Sequence, residues 1–242
     1  MKKNIEIITM IYKSQDYLDL IISELQKNYC QVEGWDVGFR VLANDASPNI
    51  LESLRKSGVP HTVYNDSKPN DYYLNRVYRC WNHGASTSKF DNICFVNSDM
   101  VFSEGWLTAL LERHDGVNIP CSRLVESGKL MSGTYGISKD FGRHPNDIRY
   151  TEWKKFASES KKHMALYAGL FMPCVFETKT FLETGGYPEG NIYADGPGTL
   201  NGNVLQSGDD WYFRKLEKER KMKHVTVFDS LVYHIQEGEK DV

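Results

Sequence analysis

The 242-residue sequence contains no run approaching the ~18 apolar residues of a membrane-spanning helix. It has no C-x-x-C pair. Its five cysteines (Cys30, Cys80, Cys94, Cys121 and Cys174) are odd in number and widely spaced. That pattern argues against a disulfide framework or a zinc knuckle, and for reduced, buried thiols in a cytoplasmic protein. There is no excess of one charge: 29 Lys and Arg face 32 Asp and Glu, a net −3. Without a basic field, nucleic acid is not an expected partner. Internal repeats and low-complexity tracts are absent, which excludes solenoids and long linkers.

Several catalytic signatures are also missing. Ser127-Gly128-Lys129-Leu130 lacks both the upstream Gly and the following Ser/Thr of a phosphate-binding P-loop. Gly196-Pro197-Gly198 lacks the third Gly and the preceding strand of a dinucleotide fingerprint. No G-x-S-x-G elbow and no H-E-x-x-H helix occurs. The start, Met1-Lys2-Lys3 followed by Ile5 to Tyr12, is interrupted by Glu6 and has no small-residue cleavage site. It therefore reads as a first β-strand, not a signal sequence.

What is present is an ordinary globular composition, 40% hydrophobic and 25% charged. A chain of this length buries roughly 70–75% of its unfolded surface and needs no staple. Strand and helix patterns alternate through the first half. Strands are expected at Ile5–Ile11, Asp36–Leu42, His61–Tyr64 and Asp91–Val96. Helices are expected at Asp16–Asn28, Asn49–Ser57, Leu74–Ala85 and Glu104–Arg113. This order implies a mostly parallel sheet flanked by helices. In the second half, strands are expected at Ile119–Val125, Ala168–Phe176 and Val225–Tyr233. Helices are expected at Glu152–Lys162, Thr178–Thr184 and Asp209–Arg220. Ser127–Lys162 otherwise reads as a partly mobile loop, and Asn191–Ser207 as a Gly- and Asn-rich loop.

Open α/β sheets bind ligands beyond the carboxyl ends of their strands. Three polar clusters fall there: Thr9 to Lys13, Asn44 to Ser47, and Asn97-Ser98-Asp99. A carboxylate such as Asp99 can hold a hard divalent cation that bridges two phosphates; an Asp after a strand also serves as a turn or cap residue. Gly208-Asp209-Asp210-Trp211 puts two carboxylates at a helix start. They suit capping, and equally a general base for an acceptor hydroxyl. His234 closes the last strand as a surface or core group, or as a neutral ligand to the cation of Asp99.

In order, these elements resemble the family 2-type glycosyltransferases of GT-A fold. Thr9-Met10-Ile11-Tyr12 is similar to that family's first strand end, and Asn44-Asp45-Ala46-Ser47 to its Asp-Asp-x-Ser turn. Asn82-His83-Gly84 resembles its Asn-x-Gly helix end, and Phe95 to Asp99 its strand into D-x-D. Gly185-Gly186-Tyr187-Pro188-Glu189 and Gly208-Asp209-Asp210-Trp211 resemble its Gly-Gly-Phe-Asp-Glu and Glu-Asp-Trp pair. The likeness covers nearly the whole chain.

The resemblance implies one GT-A-type domain over 1–242, with a nucleotide half (1–115) and an acceptor half (116–242). It implies a nucleoside-diphosphate sugar donor, UDP-sugar favoured, a carbohydrate or other hydroxyl-bearing acceptor, and manganese or magnesium. Thr9, Tyr12, Asp45, Asn82, Asn97 and Ser98 would line the nucleotide site, with Asp45 on the base. Asp99 and His234 would hold the metal. Asp210, with Asp209 beside it, would be the catalytic base of an inverting transfer, and Trp211 would lie under the acceptor.

This sequence departs from the family in places. Asn97 and Asn44 replace acids, and Lys13 follows Tyr12 where Asn is usual. Asn191–Ser207 is longer than the usual gap and carries Asp195 as an extra polar candidate. The rival readings are a degenerate nucleotide- or carbohydrate-binding protein and a nucleotidyltransferase.

Overall fold

β1 (Lys3–Ile11) buries Ile5 through Thr9 without a break, as a strand covered on both faces does. Glu6, which interrupts the apolar run, is 7% exposed and holds Arg40 of the next strand through bonds of 3.0 and 2.9 Å. Arg40 also donates to Thr62 at 3.1 Å, Thr87 at 2.8 Å and the Gly84 carbonyl at 2.8 Å. A bidentate pair with its remaining donors satisfied is the arrangement in which buried charge is tolerated. It ties the first three strands to the helix above them.

The computed structural model describes residues 3–27, 30–68, 73–128, 134–169, 172–190 and 208–236, and the backbone of 192–193, 196–197 and 204–206. After β1 come α1 (Gln15–Gln26), β2 (Trp35–Asn44), α2 (Pro48–Ser57), β3 (His61–Tyr64), α3 (Tyr73–Ser86) and β4 (Asn92–Val96). Next are β5 (Met100–Phe102), α4 (Trp106–Glu112), β6 (Asn118–Glu126), β7 (Ile137–Ser138), α5 (Tyr150–Ser160) and β8 (Ala165–Tyr167). Then follow β9 (Cys174–Glu177), α6 (Thr178–Glu183), β10 (Ile192–Tyr193), β11 (Gly196–Pro197) and β12 (Val204–Gln206). α7 (Gly208–Arg220) and β13 (Lys223–His234) complete the order. Pro48 at the first turn of α2 and the left-handed Gly58 after its last turn are the start and stop expected from sequence.

The main sheet runs β3-β2-β1-β4-β9-β6-β13-β5. β3, β2, β1 and β4 are parallel, as are β6 and β13. β9, β5 and β8 run antiparallel to their neighbours. The fold is thus the expected mixed α/β type with a central sheet flanked by helices. β1 lies between β2 and β4, so the chain order reverses between β1 and β4. That is a topological switch point, where open α/β sheets take ligands.

Some boundaries differ from expectation. β9 begins at Cys174, not at Ala168, because Ala168 and Gly169 adopt positive φ and Pro173 offers no N–H to a ladder. β5, β7 and β8 were too short for periodicity to reveal. The described parts of 191–207 form a small antiparallel sheet, β11-β10-β12, where a loop was expected; Asp195 lies outside the described residues. In the segment expected to be a partly mobile loop, Phe141 and Trp153 are buried against Tyr233. The Tyr233 hydroxyl accepts from Phe141 N and donates to the Gly142 carbonyl. All five cysteines are buried free thiols. Among the described residues no helix is long and apolar enough to cross a membrane.

Candidate functional site

The carboxyl ends of β1 and β2 are clipped together. Ser47 N donates to the Tyr12 carbonyl at 3.1 Å, and Asp45 N to the Tyr64 carbonyl at 2.9 Å. Asp45 sits at φ 48°, a left-handed turn conformation that Asp tolerates better than most residues. Its Oδ1 accepts from Asp66 N at 3.1 Å and Ser67 N at 3.2 Å. Its Oδ2 is buried with no hydrogen-bond partner. Thr9 Oγ1 and Asn44 Oδ1 are among the other buried atoms in that state. Leaving such atoms unmet costs about 1–3 kcal/mol each. Thr9 and Asn44 lie in the carboxyl-terminal parts of β1 and β2, and strand alternation, with Thr9 paired to Val41, puts them on opposite faces of the sheet.

Cationic groups gather around Tyr12, just beyond β1. Lys13 Nζ lies 4.5 Å, and the Arg76 guanidinium 5.2 Å, from the centre of the Tyr12 ring. Hydrogen bonding to Lys13, and then to Arg76, holds the Tyr12 hydroxyl below its ordinary pKa. Arg76 Nε is buried without a partner. Arg76 is a site residue the sequence reading missed. It lies on the polar side of α3, where nothing in the periodicity separates it from a solvated arginine.

Thr9 is paired with Val96 of β4, so Asn97-Ser98-Asp99 emerges beside it. Asn97 and Ser98 are half-buried, while Asp99 is 6% exposed. Asp99 is fixed by the far edge of the sheet: its carbonyl accepts from Ile235 N at 3.0 Å and its Oδ2 from Gln236 N at 3.2 Å. His234 pairs with Met100 on one side and with Glu126 of β6 on the other. Its imidazole therefore sits between two carboxylates. Nε2 is 3.2 Å from Asp99 Oδ2, and Nδ1 is 2.9 Å from Glu126 Oε1. Glu126 is 5% exposed and was not singled out from sequence. Its signal was available: like Asp45 and Asp99, it is an acid directly following an apolar strand.

Burial works against a charged imidazole at His234. Attraction and hydrogen bonding to Asp99, then to Glu126, outweigh it and push the pKa up to about 10. Burial likewise raises the Asp99 carboxyl, but His234 pulls it below its ordinary value. An unfolded histidine titrates near ~6.5. The stability from protonated His234 is therefore complete below that pH and is lost as pH rises toward 10. Burial lowers His114, His224 and His83, so stability also falls as pH drops below ~6.5. With chelator present, melting temperature should peak near neutrality. It should then fall between pH 7 and 8 by the equivalent of at most about 1.4 kcal/mol per pH unit. A flat profile there would show that His234 is not held protonated.

The fit of a divalent cation can be tested on these distances. Two donors ~2.1 Å from one octahedral ion lie about 3 Å apart, and Asp99 Oδ2 and His234 Nε2 are 3.2 Å apart. Among the described residues no group of three or more His, Cys, Asp or Glu side chains is arranged to hold a metal. The pair therefore suits a cation whose other ligands come from substrate phosphates and water, as is usual for magnesium-type ions.

The two acids of α7 are brought toward β4 by aromatic packing. Phe95 of β4 lies 5.8 Å from Tyr187, and Tyr187 lies 5.2 Å from Tyr78. The Tyr78 hydroxyl accepts from Asp209 N at 3.3 Å. Burial, and then the Asp209 and Asp210 charges, raise the Tyr78 pKa. Asp209 Oδ1 accepts from Asp210 N at 3.0 Å, a local bond within the first turn of α7. Trp211 is half-buried against the core, with Lys215 Nζ 5.4 Å from its ring.

Asn82 is placed differently from what the resemblance implies. Its Oδ1 accepts from Tyr187 N at 2.9 Å and its Nδ2 donates to the Tyr187 carbonyl at 2.8 Å. A Cβ on Gly186 would come within 2.4 Å of Asn82 Oδ1. Asn82 is thus the clip for the Gly-Gly-Tyr turn, because both ends of its amide are engaged there. Gly84 lies inside α3, not at its end; a Cβ there would come within 2.7 Å of Leu42. A cleft of about 420 Å³ between α3 and α6 includes Asn82, Arg79 and Glu189 in its lining, but none of Thr9, Asp45, Asp99 or His234.

No protein-family profile and no curated protein matches the sequence. Among solved structures, the chain is similar to GalNAc-T7 crystallised with UDP, GalNAc and Mn2+. The TM-score is 0.57 at 11% identity. The match covers 96% of this chain and 44% of that one. The chain has the GT-A-type glycosyltransferase fold. It spans less than half the length of that relative.

Proposed function

We propose that this protein transfers a sugar from a nucleoside-diphosphate sugar, most simply a UDP-sugar, to an acceptor hydroxyl. The observation that carries the proposal is the Asp99–His234 pair just beyond β4, with the buried, unpartnered Asp45 Oδ2 at the end of β2. The fold shared with GalNAc-T7, solved with UDP, GalNAc and Mn2+, supports the same donor class.

In this reading Asp45 Oδ2 accepts a base N–H, such as that of uracil, and Thr9 and Tyr12 line the nucleoside pocket. Lys13 and Arg76 attract the diphosphate. Asp99 and His234 would hold manganese or magnesium, whose charge would offset that of the departing diphosphate. Asp210 takes the proton of the acceptor hydroxyl as its oxygen bonds to the sugar carbon. The bond from that carbon to the phosphate oxygen breaks, and its electron pair leaves with the diphosphate. Displacement from the face opposite the leaving group inverts the anomeric centre. The nucleotide half comprises 1–115 and the acceptor half 116–242.

A second reading, a binder without transfer activity, is favoured by Asn97, which leaves the strand end one carboxylate short. Thermal unfolding with UDP, GDP, CMP and ATP, with and without manganese, separates the readings. A ligand at ~100 times its Kd stabilises by about 2.7 kcal/mol, roughly 5–11 °C for this size. A manganese-dependent shift with UDP is expected. No shift with any nucleotide would remove the donor assignment. A UDP shift without turnover of any UDP-sugar would favour the binder.

A further inference from the structure

We propose that Glu126 is a positioning residue for the cation site, holding the His234 imidazole so that Nε2 faces Asp99. The inference rests on the proposed function, and it concerns a residue that neither sequence pattern nor fold likeness assigns. Its basis is sheet geometry. Glu126, His234 and Met100 lie side by side on β6, β13 and β5, and Asp99 immediately precedes Met100. The backbone thus fixes both carboxylates relative to the ring.

Hydrogen-bond chemistry then decides the ring's orientation. A carboxylate only accepts, so the Glu126 contact at 2.9 Å requires the proton to be on Nδ1. The remaining nitrogen, Nε2, is the one 3.2 Å from Asp99 Oδ2. Both contacts are to carboxylates, so without a cation both ring nitrogens donate; a cation on the Asp99 side would take the place of the Nε2 proton and leave the Nδ1 proton on Glu126. Carboxylate–histidine–metal relays of this kind fix the tautomer and raise the ligand's basicity.

Glu126 and Asp99 are 5% and 6% exposed, so both carboxylates meet the ring inside the protein. Glu126 Oε2 is buried with no hydrogen-bond partner. Glu126 also restores, one shell out, a carboxylate that Asn97 does not provide.

The test is manganese affinity in the presence of saturating UDP, read from loss of the free-ion paramagnetic resonance signal. Wild type, Glu126→Gln, Glu126→Asp and His234→Asn are compared, with melting temperatures as a check on folding. Loss of such an orienting partner typically weakens metal binding 10–100-fold. Glu126→Gln should fall in that range, while His234→Asn should lose more. Glu126→Asp keeps the charge but withdraws it by one carbon, and should fall between Gln and wild type. Wild-type affinity in both Glu126 variants, with loss in His234→Asn, would overturn the positioning role and leave the cation site intact. Absence of manganese binding in wild type itself would overturn the proposed function and this inference with it.

Discussion

Asp210→Asn should lower sugar transfer by ~10²–10⁴-fold, the usual contribution of a positioned general base, while leaving UDP binding unchanged. The amide keeps the size and polarity of the side chain but cannot take the acceptor's proton. Asp210 stands in the first turn of α7, whose start is held against Tyr78 by the Asp209 N–H. The neighbouring acid makes an internal control. Asp209 Oδ1 already accepts from Asp210 N, so Asp209→Asn should act mainly on the helix end. Asn keeps the Oδ1 acceptor and ranks with Asp as a helix-start residue, so stability should change by less than about 0.5 kcal/mol. Its turnover should stay within about tenfold of wild type, well short of a lost base. The two variants are compared by kcat at saturating donor and acceptor, with UDP affinity measured separately. If Asp209→Asn carries the larger loss in kcat, the base is Asp209 and the assignment is reversed. If neither variant loses activity, the α7 acids do no proton transfer.

Asp99→Asn should abolish the manganese-dependent part of UDP stabilisation and lower transfer by at least ~10³-fold. Neutralisation of a leaving diphosphate is worth several kcal/mol, and each 1.36 kcal/mol is a factor of ten. Asn can still accept from Gln236 N, which in the native protein donates to Asp99 Oδ2 at 3.2 Å. The end of β13 should therefore stay docked, and the UDP shift without manganese should persist. The decisive comparison is melting temperature with UDP, plus and minus manganese, in both proteins. An undiminished manganese increment in Asp99→Asn would place the cation elsewhere.

Much of this protein is legible in its sequence. The alternation of apolar runs with amphipathic segments determined an α/β sheet flanked by helices. The acids that follow strand patterns marked Asp45 and Asp99 as residues just beyond strand ends, whereas Thr9 lies inside β1. Glu6, which broke the first apolar run, lies within β1 as the partner of Arg40. These are local features, and local steric and solvation rules act on them regardless of the rest of the chain.

The assembly of the site was decided only in three dimensions. Asn82 stands in a motif that matched a nucleotide contact, yet the turn it holds lies more than a hundred residues away in sequence. The Asp99–His234–Glu126 cluster depends on an irregularity in β13. Val227 pairs with Ser122, but Leu231 pairs with Arg123, so four residues of β13 advance against one of β6. The extra three residues are accommodated where the Ser122 and Ser230 hydroxyls bond at 2.7 Å. Without that bulge His234 would lie three positions beyond Glu126, and the strand's later side chains would meet different neighbours. A sequence determines which residues end strands, because burial and propensity are local. Which of those ends face one another is set by register across the sheet, and register is a property of the folded whole.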